Sequence, residues 1–334
     1  AGNPSTDQKV VEGILKDYPE SSVPYQFAFN MLMSGKCDTS VKYLTGYKRM
    51  AKAYLKEFHR LHPNFNQTGT HTTRLSSSDP NGQNISKGED PFVEAIKTEG
   101  LSLRKIFCPQ PGREWWSVDY VQLQLLIFAC VSGENQMRDK IVAGMDAHEI
   151  TARMIFNVPD HIKVESGQRR IAKNCNFGFI FGAGMNKIEQ TSNMPGLYDL
   201  LKDRMSAAIK FISKCSYQAK HNGKVYAAGY PLVVPPEKPY AASCYVIQGW
   251  EGMIVKRAMW MCDDYLEAYC PDAFMTLQVH DEILFDFPLG HGEHHIGTLA
   301  YLMEEAGRQL DVPCQVDAKY ITESWDKGIP VKFN

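Results

Sequence analysis

QRRIAKNCNFGFIFGAG, residues 168–184, sets Arg169, Lys173, Phe177 and Phe181 four residues apart. On a helix that spacing makes one slowly drifting stripe, cationic in its first half and aromatic in its second. A nucleoside triphosphate laid along it would meet Arg169 and Lys173 with its phosphates and Phe177 with its sugar and base. The same pattern also suits a core-facing aromatic edge whose basic neighbours snorkel to solvent. The segments on either side bear on the choice.

Upstream, WWSVDY at residues 115–120 is a β-prone run ending in an acid. VQLQLLIFACVSG follows at once, apolar nearly all round and stopped at Gly133, which reads as a buried helix. Downstream the period changes to two. Met275, Leu277 and Val279 lead into a hairpin, Ile283, Phe285 and Phe287 lead out, and His280 and Asp281 form its turn. Asp119 and Asp281 are flanked by apolar residues that make an isolated carboxylate costly, so something must compensate the charge. Two acids at the ends of neighbouring strands can share a pair of Mg²⁺ ions ~3.5–4 Å apart that clamp the attacking and leaving oxygens of a phosphoryl displacement. Strand-end acids are also common without any metal.

From Asp146 to Ile254 the pattern is mainly helical, with interruptions expected at Gly178, Gly182, Gly184 and the proline-rich YPLVVPPEKP, residues 230–239. VKYLTGYKRMAKAYLKEFHRL, residues 41–61, predicts a helix closed by His62-Pro63, with Leu44, Tyr47, Ala51, Tyr54, Leu55 and Phe58 on one stripe. Its other face carries Lys42, Lys48, Arg49, Lys52, Lys56 and Arg60, offset by Glu57 alone. That face suits a phosphate backbone, and equally a solvated helix surface. The polar, turn-rich residues 67–91 are too poor in apolar side chains to form a core, and such loops often carry function.

At 334 residues the chain is long enough for one large or several smaller domains. Hydrophobic residues at 44% and charged residues at 22% are globular values. With no long apolar run and no signal-peptide pattern, a soluble, cytoplasmic protein without membrane partners is expected. Nine cysteines scattered without a C-x-x-C pair are expected to be reduced thiols rather than zinc ligands. A net charge of −2 does not advertise a nucleic-acid binder, but bulk charge says little when basic residues gather on one face.

SVDYVQLQL, DAHEITARMIF, RRIAKNCNFGFIFG and LQVHDEILF, in this order, resemble motif A, the D-x-H-x-x-T-A helix, motif B and motif C of the DNA polymerase I family, family A. TTRLSSSDPNGQNI is similar to the family segment T-G-R-L-S-S-x-x-P-N-x-Q-N-I, and VPCQVDAKYITESWDKG to its closing strand, so the resemblance runs from about residue 40 to the C-terminus. It implies a right-hand polymerase fold of mixed α/β (α+β) class. The expected parts are a partial thumb at 1–68, palm at 69–130, fingers at 131–249 and a second palm segment at 250–334. The implied activity is DNA-directed: template-dependent addition of deoxynucleotides to a primer 3′ end, with release of pyrophosphate.

By resemblance, Asp119 and Asp281 are metal-binding carboxylates for two Mg²⁺ ions, and the Tyr120 carbonyl is a further ligand. Arg169, Lys173 and His148 match triphosphate contacts, with Lys173 also suited to protonating the leaving pyrophosphate. Phe177 and Phe181 would face the incoming nucleotide and template base on a closing helix. Arg74, Gln248 and His280 match residues touching the duplex near the primer end, Asn81, Gln83 and Asn84 lie in a backbone-tracking loop, and Lys48, Lys52 and Lys56 would grip the duplex electrostatically. The implied partners are primer-template DNA and deoxynucleoside triphosphates, with an upstream nuclease, primase or helicase domain or an accessory protein compatible with the family. Too few residues precede the thumb helix for a proofreading nuclease, and a start at Ala1-Gly2 suggests a processed or cloned fragment.

Several positions depart from the family pattern: Gln124 for glutamate, Phe181 for tyrosine, Leu126 for arginine, Thr73 for glycine, and Tyr240 and Cys244 for arginine and asparagine. Gln124 and Phe181 are expected to be one coupled change. Phe181 has no hydroxyl to offer a carboxylate, and a neutral glutamine keeps the wall on the sugar's 2′ side without a desolvated charge. GYPLVVPPEKPYAASCYVIQG resembles phage or plasmid members. Rival readings are a single-subunit RNA polymerase, a reverse transcriptase, or a non-catalytic DNA-binding scaffold. RRIAKNCNFGFIFG and QVHDE speak against the first, and both acids with Lys173 against the last.

Overall fold

The computed structural model describes residues 8–54, 60–85, 102–183 and 185–332. The chain divides into two compact units. One comprises Ala1–Asn64, Ser77–Phe107 and Ser324–Asp326, and the other Phe65–Ser76, Cys108–Glu323 and Lys327–Asn334. Among the described residues no helix is long and apolar enough to cross a membrane.

The first unit contains helices α1 (Gln8–Asp17) and α2 (Val23–Tyr54), joined through Val11, Ala28 and Leu32. The helix expected at residues 41–61 is the second half of α2, which starts at Val23; residues 55–59, and with them Lys56, lie outside the described residues. Tyr47 is buried on edge against Phe107, at 5.7 Å, but Leu44 is 43% exposed, so the expected apolar stripe does not extend back to it. Phe107 in turn meets Trp325, which also has the Arg104 guanidinium over its ring at 3.7 Å.

The second unit is built on a five-stranded antiparallel sheet of order β6-β7-β3-β8-β9, namely β6 (Phe274–Val279), β7 (Glu282–Pro288), β3 (Arg113–Tyr120), β8 (Val316–Ile321) and β9 (Ile329–Val331). Among the described residues the remaining strands are the short β1 (Asn64–Asn66) and β2 (Ser76–Ser78), and a hairpin of β4 (Lys224–Ala227) with β5 (Tyr230–Val233). The proline-rich run is therefore a strand as well as a loop: Pro231 lies in β5, a strand paired on one side only, where a missing N–H is tolerated.

Paired residues in an antiparallel ladder share a face. Trp116, Val118 and Tyr120 thus lie with Phe285 and Ile283 of β7 and with Ala318 and Val316 of β8, all buried. Full burial of Phe285 and Phe287 contributes about 1.5–3 kcal/mol each. This face packs on α10 (Ala242–Tyr269) and α11 (Gly292–Arg308), and Tyr120 Oη donates to the Met303 carbonyl at 2.7 Å. The incoming strand differs from simple alternation. A register shift between Met275 and Leu277 puts Met275 opposite Phe285 but Leu277 opposite Leu284, so the expected Met275, Leu277 and Val279 row is split between two faces.

Glu114 ties the sheet to the start of α11. Its carboxylate accepts from Gly290 N at 2.9 Å, Gly292 N at 2.8 Å, Trp116 Nε1 at 3.0 Å and Tyr320 Oη at 3.1 Å. Burial pushes this carboxyl up, but these donors outweigh it and hold the pKa below the usual carboxylate value. A depressed carboxylate contributes stability above its unfolded pKa, and that contribution is lost as pH falls through the folded value. Glu114→Gln is expected to lower stability by about 1–3 kcal/mol at pH 7 and to lose less on acidification than the wild type. Thermal melts at pH 7 and pH 4 check both; equal acid sensitivity would show that the group is not depressed.

The helices between the two sheet segments are α3 (Leu123–Ser132), α4 (Asn135–Val142), α5 (Ala147–Phe156), α6 (Ser166–Phe181), α7 (Met185–Ser192), α8 (Leu197–Arg204) and α9 (Ser206–Asn222). α3 is apolar all round because it is enclosed, contacting α6, α9 and α10, with Leu125 through Ala129 buried in succession. Gly178 does not interrupt α6 as expected. It is an interior position where a Cβ would come 2.4 Å from Ile188 Cδ1. Gly182 does end the helix, at φ +67°, with the Tyr240 carbonyl 2.5 Å from where a Cβ would stand.

Candidate active site

Asp119 is the penultimate residue of β3 and Asp281 the second residue of the β6–β7 turn. Asp119 pairs with Glu282, and the Tyr120 amide donates to the Asp281 carbonyl at 3.2 Å. The two acids therefore stand at the same end of adjacent strands. On its other side Asp119 pairs with Asp317 of β8. Asp119, Glu282 and Asp317 thus share the face opposite the core. Ser117 Oγ donates to the buried Glu282 carboxylate at 2.6 Å. Among the described residues no group of three or more His, Cys, Asp or Glu is arranged to hold a metal by itself. Asp119 and Asp281 offer hard oxygen donors, the ligand type that suits an ion such as Mg²⁺, which is bound through one or two carboxylates together with substrate phosphates. His280, at φ +58°, makes the turn and is exposed.

The stripe on α6 faces solvent. Arg169 and Lys173 are exposed, Phe177 is 42% and Phe181 53% exposed, so the core-facing reading does not hold. Phe177 stacks on Phe181 at 6.0 Å and meets His148 at 5.8 Å, and Lys173 Nζ lies 5.7 Å from the Phe177 centroid. Arg169 forks onto Asp146, the N-cap of α5, at 3.2 and 3.0 Å. α5 is locked to α6 by buried Asn176, whose amide donates to His148 Nδ1 at 2.9 Å and to the Ala147 carbonyl at 3.3 Å and whose oxygen accepts from Thr151 at 2.9 Å. That bond to Nδ1 leaves the neutral ring's proton on Nε2. Burial pushes the His148 pKa down; Asp146 opposes this, while Arg169 and Lys173 add to it.

Gln124 is half-buried on α3, and its neighbour in the structure is Glu251 of α10, whose charge its side chain helps to hold. Glu251 also forms an ion pair with Arg74. Gln248 is half-buried on the same helix. Thr73 takes φ +61°, which accounts for the glycine usual there, and donates to the Gly249 carbonyl at 3.0 Å. In the first unit Asn81 Oδ1 accepts from the amides of Gln83 at 2.9 Å and Asn84 at 3.2 Å, a loop-capping arrangement; Gln83 is buried and Asn84 exposed. Lys48 is exposed on α2 and Lys52 lies on the same helix.

Glu251, Glu282, Asp317 and Asn176 were not singled out from sequence. Two signals existed: the alternation in QVDAKYI, which turns Asp317 to the face of Asp119, and a single acid in the apolar stretch IQGWEGMIV.

An antiparallel sheet presenting acids at one end, in one unit with a helix that carries an exposed cationic and aromatic ladder, suits a polymerase domain. The family model for DNA polymerase family A matches residues 1–228 and 235–327, and the chain belongs to that family. Among curated proteins it is 30% identical over 275 residues to DNA polymerase I of Deinococcus radiodurans, covering 77% of this chain and 27% of that one. It is 31% identical over 286 residues to DNA polymerase I of Pseudomonas aeruginosa, covering 80% and 30%. The thermostable DNA polymerase I of Thermus thermophilus is 30% identical over 283 residues, covering 80% and 32%. The chain thus spans about a third of the length of these relatives. Among solved structures, the POL domain of Pol1 from M. smegmatis, in complex with DNA primer-template and dNTP, superposes with a TM-score of 0.80 at 25% identity, covering 97% of this chain and 57% of that one.

Proposed function

We propose that the chain is the polymerising part of a DNA-directed DNA polymerase, joining deoxynucleotides to a primer 3′ hydroxyl with release of pyrophosphate. The observation that carries this is the meeting of Asp119 and Asp281 at one end of adjacent strands, in a unit whose α6 also offers an exposed ladder of two cations and two aromatic rings. Residues 69–130 and 250–334 serve as palm, 131–249 as fingers and 1–68 as partial thumb.

Asp119, Asp281 and the Tyr120 carbonyl would hold two Mg²⁺ ions. Bound there, these supply Lewis-acid stabilisation to the attacking and leaving oxygens of an in-line displacement. Lys173 and Arg169 bind the triphosphate, Arg169 exchanging its Asp146 carboxylate for phosphate, and Lys173 holds a proton at Nζ for the departing pyrophosphate. His148 offers its Nε2 proton to the same phosphates. Phe177 and Phe181 stack against nucleotide and template base, and Gln124 walls the sugar's 2′ side. Arg74, Gln248 and His280 contact the duplex near the primer end, with Asn81, Gln83 and Asn84 along the backbone.

Primer extension tests the reading. With primer-template, Mg²⁺ and the four deoxynucleotides, the primer should lengthen with matching pyrophosphate release, and chelation should stop both; an unextended primer would refute it. The duplex grip assigned to α2 has its own check. Neutralising Lys48, Lys52 and Lys56 together should weaken primer-template binding and flatten log K against log salt by about 0.9 for each lost phosphate contact. An unaltered slope would return α2 to an ordinary solvated face.

A further inference from the structure

Beneath the proposed sugar wall lies a charged residue with no part in the mechanism above. Glu251 is fully buried on α10, with 0% of its side chain exposed, and forms an ion pair with Arg74, itself 20% exposed. The backbone carrying Arg74 is held against α10 without slack. A Cβ at Gly252 would stand 2.7 Å from Thr73 Oγ1 and 2.9 Å from the Arg74 amide, and Thr73 bonds the Gly249 carbonyl. Gln124 of α3 lies near enough to the same carboxylate to help hold its charge. Glu251 Oε1 is buried without a hydrogen bond, as is Arg74 Nε. Cys244 lies close enough to feel both charges.

We propose that Glu251 is a positioning residue for polymerisation and sugar selection: its buried carboxylate, presented from α10, fixes Arg74 and Gln124 and takes the place of the glutamate that family A usually has at position 124. The proposal rests on the assignment of Arg74 and Gln124 to the primer end and the sugar wall.

The chemistry explains why position 124 is an amide. A glutamate there would set a second carboxylate against Glu251, and like charges at that range cannot both ionise without cost. Glutamine instead offers an N–H to Glu251 and keeps nearly the same bulk. Burial pushes the Glu251 carboxyl up, Arg74 and then Gln124 work against burial, and the balance remains raised. A single carboxylate shared by two side chains from separate segments is a lever: moving it displaces both. Truncating Glu251 would also leave the half-buried Arg74 charge without its counter-ion, so an isosteric change is the informative one. The coupling partner of Gln124 is on these grounds Glu251, with Phe181 occupied in its stack on Phe177.

The test compares wild type, Glu251→Gln, Gln124→Glu and the swap carrying both. Melting temperature and primer-template affinity are read alongside single-turnover incorporation of a deoxynucleotide and the matching ribonucleotide. Glu251→Gln is expected to melt as a folded protein and bind primer-template within about threefold of wild type, yet lose about tenfold or more in maximal rate and in discrimination against the ribonucleotide. Gln124→Glu should lose comparably, and the swap should recover about tenfold over the poorer single variant, since the pair again holds one carboxylate and one amide. Unchanged discrimination in folded Glu251→Gln, or additive losses in the swap, would overturn the proposal. Should Glu251→Gln not fold, the swap carries the same test, and a swap that also fails to fold counts against it. A wild type that extends no primer would instead remove the polymerase reading itself.

Discussion

Alanine at Asp119 or at Asp281 is expected to reduce single-turnover primer extension by about a thousandfold or more. Primer-template affinity should stay within about threefold of wild type. Both acids are half-buried, one at the end of β3 and the other in the β6–β7 turn, and neither belongs to the apolar core, so removing either should leave the sheet intact. The core face of the ladder is formed by Trp116, Val118, Ile283 and Phe285. Their cost to extension should therefore be chemical and not structural. Near-normal extension by either variant, with folding verified, would remove that residue from the metal assignment.

Lys173→Ala should lower the maximal rate by about a hundredfold or more, together with nucleotide affinity. The reason is where Lys173 stands. It lies on the exposed side of α6 between Arg169, already paired with Asp146, and the Phe177 ring. Its proposed partner gains negative charge as pyrophosphate departs, so the interaction is stronger in the transition state than in the bound ground state. A change in affinity alone, with the maximal rate untouched, would make Lys173 a binding residue only. Unchanged kinetics throughout would take it out of the site.

Local rules carried the reading far. The β-prone run into Asp119, the buried helix stopped by Gly133, the turn at His280-Asp281 and the four-residue stripe of α6 each follow from a short-range pattern, and each forms as expected. What was not legible depended on tertiary neighbours. Whether Arg169, Lys173, Phe177 and Phe181 face solvent is decided by what packs on the opposite side of α6, where Cys175, Asn176 and Phe179 are buried. Gly178 looked like a break because a glycine's reason lay ten residues away, in the Ile188 side chain pressed against it. The bulge between Met275 and Leu277 leaves no trace in the alternation of residue types. Glu251 was the hardest case. The lone acid in IQGWEGMIV signals that a counter-charge is needed, but not that it is Arg74, 177 residues away in sequence.

The departures from the family pattern also gained meaning only in three dimensions. Thr73 occupies a left-handed backbone position at φ +61°, unfavourable for a β-branched residue, and its hydroxyl bond to Gly249 offsets part of that cost. Cys244 sits beside the Arg74 and Glu251 charges, and burial pushes its thiol up to about 11, so it contributes no charge to the group at neutral pH. Leu126 is buried in the core, where an arginine would need a partner.

The central claim, templated addition of deoxynucleotides, is tested most directly by single-turnover incorporation on four primer-templates that differ only in the first templating base. Each should take up its complementary deoxynucleotide in preference to the other three by a factor of about a hundred or more, with one pyrophosphate released per residue added. The preference should switch with the templating base. Incorporation that ignores the template, or its absence from the folded wild-type chain in the presence of Mg²⁺, would contradict the account.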